Sequence, residues 1–451
     1  MESCDKIRKY KEEVCNQIRW KKAHEEISKE LEAHIIDQKE YYLQNGEEES
    51  IALERAIEEM GDPIMVGTQL DRTHRPKPQK AMLALTMVLV GLGLFIHIIL
   101  LRYNGYAGNV HKHILAVLIG AIVLFCAYYL DFTIISRYPK AIMIGSFLMM
   151  SGFLLFDRRL IMGRTFAIIM TMPFSGAYLS LLFPLILVVV IYITRKKGYL
   201  GIMFTGIVLS VMSLLVLFFS TPGTMIVFLA IGLILLTVSI CKGWYDVNKV
   251  VACLGLYATG IIGLVFVDRY HFAFHMMNKL KVIFNPSLEP YGNGYAGVMI
   301  RELLKKSTLF GSGFIPEYYE NLDFLVLSSG HTDFLLIYLI VKYGRIALYI
   351  IAVINIIFLT KGFYQSFKQR SMLGFMVSLA VMLTLAFETI IYIAWNLGLL
   401  LVSPISLPLI SYGNTALLIN LFLIGIMLSV FRTRDIAKDE KLQIKNLEVL
   451  P

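Results

Sequence analysis

The sequence predicts an all-α polytopic membrane protein with about ten transmembrane helices, a small helical cytoplasmic N-terminal domain, and one long extracellular loop between helices 7 and 8. Three observations predict this fold. Hydrophobic residues make up 57% of the 451 residues, charged residues only 17%, and the mean hydropathy is +0.66, values typical of membrane proteins. Apolar runs long enough to cross a bilayer recur between residues 81 and 431. A charge-dense segment precedes these runs, and a long polar segment interrupts them after Val267.

The N-terminal segment, residues 1–75, is predicted to be a helical soluble domain. Apolar residues recur at helical spacing among Lys and Glu over 6–31, and two further helices are expected over 34–43 and 47–60. Residues 76–80 form the linker to the membrane domain. The segment shows no catalytic constellation, so a solvated cytoplasmic domain is the simplest interpretation.

Part of this segment has a recognisable pattern. Glycine and proline at positions 61 and 63 stand in the order that ends a helix. Residues 56–63, followed by Val66, Gly67 and Leu70, resemble the short helical prefix domain that precedes some permease-like proteins of Gram-positive bacteria. That resemblance implies a regulatory or docking role.

The transmembrane domain is predicted to cover residues 81–431, followed by a cytoplasmic tail at 432–451. Each span needs about 20 residues to cross the hydrocarbon. We place the spans near residues 81–101, 114–130, 141–156, 175–194, 199–219, 223–241, 249–267, 334–359, 372–395 and 413–431. An even number of spans puts both termini on the same side of the membrane.

Clustered lysines and arginines in the short loops predict the orientation. They lie in the loops at 137–140, 195–197, 242–249 and 361–370, on the same side as the two termini. By the positive-inside rule that side is cytoplasmic. The sequence therefore predicts a multi-pass protein of the cell membrane with cytoplasmic N and C termini, and the 268–333 loop faces outward.

Three arginines depart from that rule. Arg158, Arg159 and Arg164 face outward in this topology, which indicates that they serve something other than topology. The net charge of +9 is typical of loops at an anionic membrane surface. Because no basic patch with interleaved aromatic residues is present, no nucleic-acid partner is predicted.

Asp333 is predicted to lie at the mouth of the eighth span, where a carboxylate is costly and indicates a functional site. One interpretation is a general base; the plainer alternative is an N-cap that accepts from the first free amides of a helix. Glu388 and Asn396 also lie in or at the end of an apolar run. Glu388 either lines a polar cavity within the bundle or pairs with a buried donor, and the second is the expectation. His271 and His275 have metal-ligand spacing on a helix, but no third ligand is evident.

Three segments form a family pattern. The first contains Gly294-Tyr295, Gly311-Ser312-Gly313, His331-Thr332-Asp333-Phe334 and Tyr343-Gly344. The second contains Asn396-Leu397-Gly398 and Leu407-Pro408-Leu409-Ile410-Ser411-Tyr412-Gly413-Asn414. The third is Pro222-Gly223-Thr224. In this order, on ten spans, they resemble the SEDS family (shape, elongation, division and sporulation), the RodA-, FtsW- and SpoVE-like peptidoglycan glycosyltransferases.

The chain departs from the family pattern at several positions. Where the family carries a Gln-Pro-Ser-Glu stretch and then a lysine, this chain keeps only the proline, with Ser175 in place of the glutamate and Tyr178 in place of the lysine. Ala296 replaces a glutamine, and Val341-Lys342 replace an acidic pair. The sequence therefore resembles a divergent member.

The resemblance implies an enzyme that polymerises lipid II at the outer face of the membrane, with Asp333 as the catalytic base. A sugar hydroxyl would attack an anomeric carbon and lipid pyrophosphate would leave, so a base and positive charge are needed. The candidate substrate-binding residues are Arg164, Lys279, Lys281, Arg301, Lys305, His331, Asn396, Ser411 and Tyr412. The implied partners are a class B penicillin-binding protein and membrane lipids. A divalent cation is compatible with the resemblance, although no ligand set can be read from the sequence.

Two other functions stay open at the level of the sequence. The polytopic bundle, the prolines near its spans and the prefix domain also suit a flippase or transporter of lipid-linked precursors, although no paired broken helices are visible. The departures at Ser175, Tyr178 and Ala296 suit a non-catalytic scaffold for a penicillin-binding protein. Asn396, Ser411 and Tyr412 fit equally well as polar groups that line a cavity and as ordinary helix-end and turn residues.

Overall fold

The computed structural model describes residues 2–74, 78–104, 110–155, 158–161, 164–169, 172–268, 281–282, 284–292, 294–312, 333–399 and 406–433. The chain divides into two compact units. The first contains the N-terminal segment through Pro78, and the second contains residues 79–368 and 372–430. Both units are helical, which confirms the predicted fold class, and the second also holds one small sheet.

The first unit is built from four helices. They are α1 (Glu2–Gln17), α2 (His24–Gln44), α3 (Glu49–Glu59) and α4 (Pro63–His74). The single helix predicted over 6–31 is wrong, because the chain turns between α1 and α2, where the Arg19 amide donates to the Asp71 carboxylate at 3.0 Å. Helix α4 was not predicted. It begins because Asp62 accepts from the Met65 amide at 3.1 Å and proline is favourable in a first turn.

A hydrophobic core joins these helices. The buried residues are Tyr10, Val14, Ile18, Ala23, Ile27, Leu31, Ile35, Leu53 and Ala56. Val66 and Leu70 pack against this cluster. The residues that carry the prefix-domain resemblance therefore serve the core of this unit.

The second unit contains the apolar helices. They are α5 (Lys80–Asn104), α6 (Val110–Tyr129), α7 (Ile134–Arg137), α8 (Pro139–Leu155), α9 (Gly176–Leu179), α10 (Phe183–Thr194), α11 (Gly198–Phe219), α12 (Pro222–Cys241), α13 (Lys249–Asp268), α14 (Tyr295–Lys306), α15 (Leu335–Tyr343), α16 (Ile346–Phe367), α17 (Met372–Asn396) and α18 (Asn414–Arg432).

Eight stretches of the described residues are long and apolar enough to cross a membrane. Two further predicted spans correspond to shorter apolar helices at Pro139–Met149 and Lys249–Ala258. The spans that contain α10, α17 and α18 form the interior, since 72% of each is buried, against 22% in α16. The multi-pass prediction is confirmed.

The eighth span begins later than predicted. We expected one span over 334–359, whereas the chain forms α15, breaks at Gly344, and resumes as α16. Gly344 adopts φ +94°, which side chains rarely adopt, and an added Cβ would lie 2.5 Å from the carbonyl oxygen of Leu309. The backbone of the 308–311 segment packs against this break, so Asp333 precedes a short helix rather than a span.

A three-stranded antiparallel sheet lies between α8 and α9. Its strands are β1 (Arg158–Ile161), β2 (Arg164–Ile169) and β3 (Met172–Ser175), in the order β1-β2-β3. The register pairs Ile161 with Arg164 and Ile169 with Met172. The sequence analysis did not predict this sheet, although the β-branched and aromatic residues over 165–169 favour a strand.

Candidate active site

Asp333 lies at the N-terminal end of α15, and its side chain is partly buried. The helix begins at Leu335 with Phe334 as its N-cap, so Asp333 lies one residue outside the cap. The interpretation of Asp333 as the N-cap is therefore wrong. Its carboxylate stands at the boundary between the polar loop and a buried helix.

Helix α14 packs alongside α15 through apolar side chains. Met299, Ile300 and Leu303 of α14 form one cluster with Ile337 and Val341 of α15. Two lysines lie in the last turn of α14, where a positive charge interacts favourably with the helix dipole. This packing brings part of the polar loop, with its basic residues, beside the helix that follows Asp333.

Asn396, at the C-terminal end of α17, fixes the start of α15. The side chain is fully buried. Its Nδ2 donates to the main-chain carbonyls of Asp333 and Tyr392, each at 3.0 Å, and its Oδ1 accepts from the amide of Ile337 at 3.0 Å. One carboxamide thus satisfies three buried main-chain groups. These contacts make Asn396 a positioning residue; its predicted contact with substrate stays a prediction.

Tyr392, one turn before Asn396, places its hydroxyl at the same helix end. The residue is fully buried. Its hydroxyl lies near the Asp333 carboxylate and the amides of Leu335 and Leu336. The sequence analysis missed Tyr392, although its spacing of four from Asn396 puts both residues on one face of α17.

Arg301 of α14 holds the turn that follows α17. Its Nε and Nη2 donate to the carbonyl oxygen of Gly398 at 3.3 and 3.2 Å, and its Nη1 donates to that of Phe284 at 3.1 Å. Gly398 has φ +79°, and an added Cβ would lie 2.9 Å from Cγ of Arg301. Arg301 is thus tied to main-chain carbonyls, and its predicted contact with substrate stays a prediction.

The 406–413 segment forms a tight turn before α18. Ser411 Oγ accepts from the Leu407 amide at 2.8 Å and donates to the Leu407 carbonyl at 3.3 Å. Ser411 is buried. These contacts support the interpretation of Ser411 as a turn residue, the second of the two considered from the sequence.

Tyr412 packs with two imidazoles, His97 of α5 and His113 of α6. The ring centroids of Tyr412 lie 5.6 Å from His97 and 5.3 Å from His113, and the two imidazoles are 4.7 Å apart. His113 Nδ1 lies 3.3 Å from Oδ1 of Asn414. Burial raises the pKa of the Tyr412 phenol, and a hydrogen bond with Asn414 opposes part of that rise. The turn is therefore held against the first two spans by histidines that the sequence analysis did not single out.

The other predicted cations occupy separate elements. Lys305 is exposed in the last turn of α14, and Lys281 is exposed in the loop before it. Arg164 begins β2. Four residues named from the sequence lie outside the described residues: His271, His275, Lys279 and His331. Within the described part of the chain, no three His, Cys, Asp or Glu side chains form a cluster suited to a metal ion.

These contacts define what the site can do chemically. A partly buried carboxylate stands beside a helix N-terminus, on a backbone that a buried carboxamide fixes. Such a carboxylate can accept a proton from a hydroxyl. Exposed lysines in the neighbouring loop can bind phosphate.

The comparison with family models identifies one match. Residues 79–436 match the FTSW_RODA_SPOVE model, described as cell cycle protein. The matched range covers most of the chain and includes both α15 and the 406–413 turn.

Several curated relatives are similar over part of the chain. The probable peptidoglycan glycosyltransferase FtsW of Buchnera aphidicola is 27% identical over 173 residues, which are 38% of this chain and 47% of the relative. The probable FtsW of Enterococcus hirae is 26% identical over 220 residues, 47% and 54% of the two chains. The peptidoglycan glycosyltransferase MrdB of Escherichia coli is 25% identical over 160 residues, which are 36% of this chain and 43% of the relative. The chain spans about half the length of the curated relatives it matches.

Solved structures share the fold over more of the chain. One, described as the structural coordination of polymerization and crosslinking by a peptidoglycan synthase complex, has a TM-score of 0.60 and 17% identity. The matched region covers 79% of this chain and 98% of the chain in that structure. The rod shape determining protein RodA of Thermus thermophilus has a TM-score of 0.53 and 16% identity. The match covers 79% of this chain and 97% of the RodA chain. At these identities the likeness shows the fold.

Proposed function

The chain belongs to the FtsW, RodA and SpoVE family, and from this membership we propose that it is a peptidoglycan glycosyltransferase that polymerises lipid II at the outer face of the cytoplasmic membrane. The observation that carries the proposal is the position of Asp333. It is a partly buried carboxylate whose main chain is bound by Asn396 and whose side chain lies near the Tyr392 hydroxyl.

In the proposed reaction a sugar hydroxyl attacks the anomeric carbon of a lipid-linked sugar. The new glycosidic bond forms as the bond to the pyrophosphate breaks, and the lipid pyrophosphate leaves with the electron pair. Asp333 accepts the hydroxyl proton. A fixed carboxylate favours this step because the hydroxyl and the base must meet in one geometry.

Positive charge is needed where the pyrophosphate leaves. The exposed Lys281 and Lys305 support this part of the proposal, since both lie in the loop that packs beside α15. Arg301 supports it indirectly by holding the turn at Gly398. Arg164, Lys279, His331, Ser411 and Tyr412 stay proposed contacts of the substrate.

The test uses the purified chain, lipid II and a gel that resolves glycan polymer. Asp333→Asn keeps the shape of the side chain and removes its basicity, so we expect polymerisation to fall by about 10²–10⁴-fold. The matched control is Asp246→Asn. Asp246 lies in the loop between α12 and α13 with φ +49°, which asparagine also tolerates, so this variant should polymerise normally.

Three outcomes contradict the proposal in different ways. If Asp333→Asn makes as much glycan polymer as the unaltered chain, Asp333 is not the general base. Movement of labelled lipid II across vesicles without polymer favours a flippase. Full rescue of a deletion strain by Asp333→Asn favours a scaffold.

We also propose a class B penicillin-binding protein as the partner. The neighbouring solved structure described as a peptidoglycan synthase complex that coordinates polymerization and crosslinking supports this proposal. Co-purification of a transpeptidase with the tagged chain, and a rise in polymerisation when it is added, are the expected results. A transpeptidase that neither binds nor changes the rate contradicts it.

A further inference from the structure

Two loops at the same end of the transmembrane domain carry an excess of positive charge. One joins α10 to α11 and the other joins α12 to α13, and we call the 195–197 and 242–249 loops together the basic platform. They hold five cations and one carboxylate, namely Arg195, Lys196, Lys197, Lys242 and Lys249 with Asp246. Within the described part of the chain, none of the five cations forms an ion pair. Their charge therefore remains available to a ligand.

Contacts between the two loops hold the basic platform together. The Lys196 amide donates to the Trp244 carbonyl at 2.8 Å. Tyr245 is fully buried, and its hydroxyl lies 3.0 Å from Oγ1 of Thr194 and 3.1 Å from Oγ1 of Thr205. These contacts anchor the second loop to the ends of α10 and α11, so the cations of both loops lie on one surface.

The backbone and one side chain of the basic platform are also fixed. Lys196 and Asp246 have φ values of +67° and +49°, which are uncommon for such residues and persist where surrounding contacts determine them. The guanidinium carbon of Arg195 lies 3.5 Å from the centroid of the Tyr192 ring, and that ring meets Trp244 edge to face. A ligand would therefore find much of the site already ordered, which lowers the cost of binding.

Two lysines of the basic platform stand where the helix dipole disfavours positive charge. Lys197 is the N-cap of α11 and makes no side-chain cap hydrogen bond, and Lys249 is the first residue of α13. Cations at helix N-termini are unfavourable by themselves. A phosphate at this position would offset that cost, since it favours both the lysines and the helix amides.

The basic platform lies at the boundary of the apolar spans. Beyond it, α11 and α13 expose apolar side chains, among them Tyr199, Leu200, Met203, Phe204, Val250 and Leu254. In a membrane these side chains contact lipid tails, and the platform at the ends of the same helices meets the headgroups. A ligand with a charged head and apolar tails would contact both surfaces at once.

The charge of the platform selects among such ligands. Five cations outnumber one carboxylate, so a headgroup of net negative charge is attracted. Its phosphate oxygens accept charge-assisted hydrogen bonds from lysine and arginine. A zwitterionic headgroup would add a positive charge that the lysines repel, and a free phosphate would leave the apolar faces of the helices uncovered.

We propose that the basic platform, with the exposed faces of α11 and α13, is a binding site for an anionic phospholipid such as phosphatidylglycerol. The phosphate lies against Lys196, Lys197 and Lys249, and the tails lie along α11 and α13. The site shares no residue with the Asp333 site and does not depend on glycosyl transfer.

The test titrates phosphatidylglycerol into detergent micelles that contain the purified full chain and follows the midpoint of thermal unfolding. Phosphatidylcholine is the comparison lipid. We expect phosphatidylglycerol to raise the midpoint by roughly 2–4 °C and phosphatidylcholine to leave it unchanged. The triple variant Lys196→Gln, Lys197→Gln, Lys249→Gln should need on the order of 100-fold more phosphatidylglycerol for half of the effect, because each lysine contributes several-fold to the affinity.

Two control variants separate this site from general charge effects. Lys9→Gln, Lys21→Gln, Lys29→Gln removes the same charge from exposed positions of the N-terminal unit and should respond like the unaltered chain. Arginine at the three platform positions keeps the charge and should keep the response. Lys197→Gln alone changes one exposed side chain, so a several-fold weakening in this variant tests the proposal even where the triple variant unfolds.

Native mass spectrometry gives a second readout. We expect phosphatidylglycerol to stay bound to the intact chain and to the N-terminal control, and to be lost from the triple glutamine variant. Equal affinity in the intact chain and the glutamine variants overturns the proposal. An equal effect of phosphatidylcholine overturns it too, as does an intact chain that neither retains phosphatidylglycerol nor responds to it.

Discussion

At the scale of single residues, the Asp333 site depends on a few buried polar groups. Asn396 binds two carbonyls and one amide through a single side chain. Tyr392 adds its hydroxyl from one turn earlier in α17. The sequence singled out Asp333 and Asn396 as polar residues beside apolar runs. It could not predict that the two are joined, because they are 63 positions apart and only tertiary packing brings them together.

Replacement of Asn396 tests this arrangement. Asn396→Ala removes the side-chain bonds to the Asp333 carbonyl and the Ile337 amide, whereas the Tyr392 carbonyl keeps its bond within the helix, so we expect a loss of about 1–3 kcal/mol in unfolding free energy. Displacement of the Asp333 backbone should lower polymerisation on the order of 100-fold. Thermal unfolding and the lipid II gel measure the two effects.

The control for this prediction is Asn355→Ala. Asn355 is equally buried, but its Nδ2 donates to the Ile351 carbonyl within α16 at 2.8 Å. This variant should lose some stability and keep its polymerisation rate per folded molecule. If both variants polymerise equally, Asn396 does not position the site.

At the scale of elements, apolar runs predicted most of the membrane helices, and a turn at Ser411 and Tyr412 was one of the two interpretations that the sequence left open. The break between α15 and α16 was missed because both helices are apolar and hydropathy continues across them. A local signal was present, since Lys342, Gly344 and Arg345 fall inside the predicted span. The small sheet was missed because its residues also fit the flanks of a span. Such errors arise where the same apolar composition is compatible with a continuous span and with a broken helix or a short strand.

Gly344 is the residue that makes the break possible. Gly344→Ala introduces a side chain at φ +94° that would meet the Leu309 carbonyl, so we expect a loss of about 1–3 kcal/mol in stability and reduced polymerisation. Gly206→Ala is the matched control, because Gly206 lies within α11 and an added Cβ meets nothing within 4 Å. That variant should be neutral or slightly more stable. A neutral Gly344→Ala in thermal unfolding would show that the 308–311 segment moves aside.

At the scale of the whole molecule, the N-terminal unit has its own hydrophobic core. A fragment of residues 1–74 should therefore fold by itself. We expect helical circular dichroism and a cooperative unfolding transition from this fragment. A broad, non-cooperative transition would mean that the unit needs the rest of the chain.

The orientation of the chain is a second property of the whole molecule. The positive-inside rule predicts cytoplasmic termini, with Lys305 outside and Lys197 inside. In a cysteine-free background, Lys305→Cys should react with a membrane-impermeant maleimide added to intact cells. Lys197→Cys, also exposed, should react only after the cells are opened. The reverse pattern would invert the topology.

The way Asn396 holds Asp333 has a genetic consequence. The Asn396 carboxamide binds the main-chain carbonyl of residue 333 and not its side chain. A substitution at position 333 should therefore leave the arrangement of the surrounding helices unchanged. Alleles altered at this codon should therefore yield abundant, correctly inserted protein. Expressed beside the intact gene, such an allele should act as a dominant inhibitor, since each inert copy would occupy a place that an active one could fill.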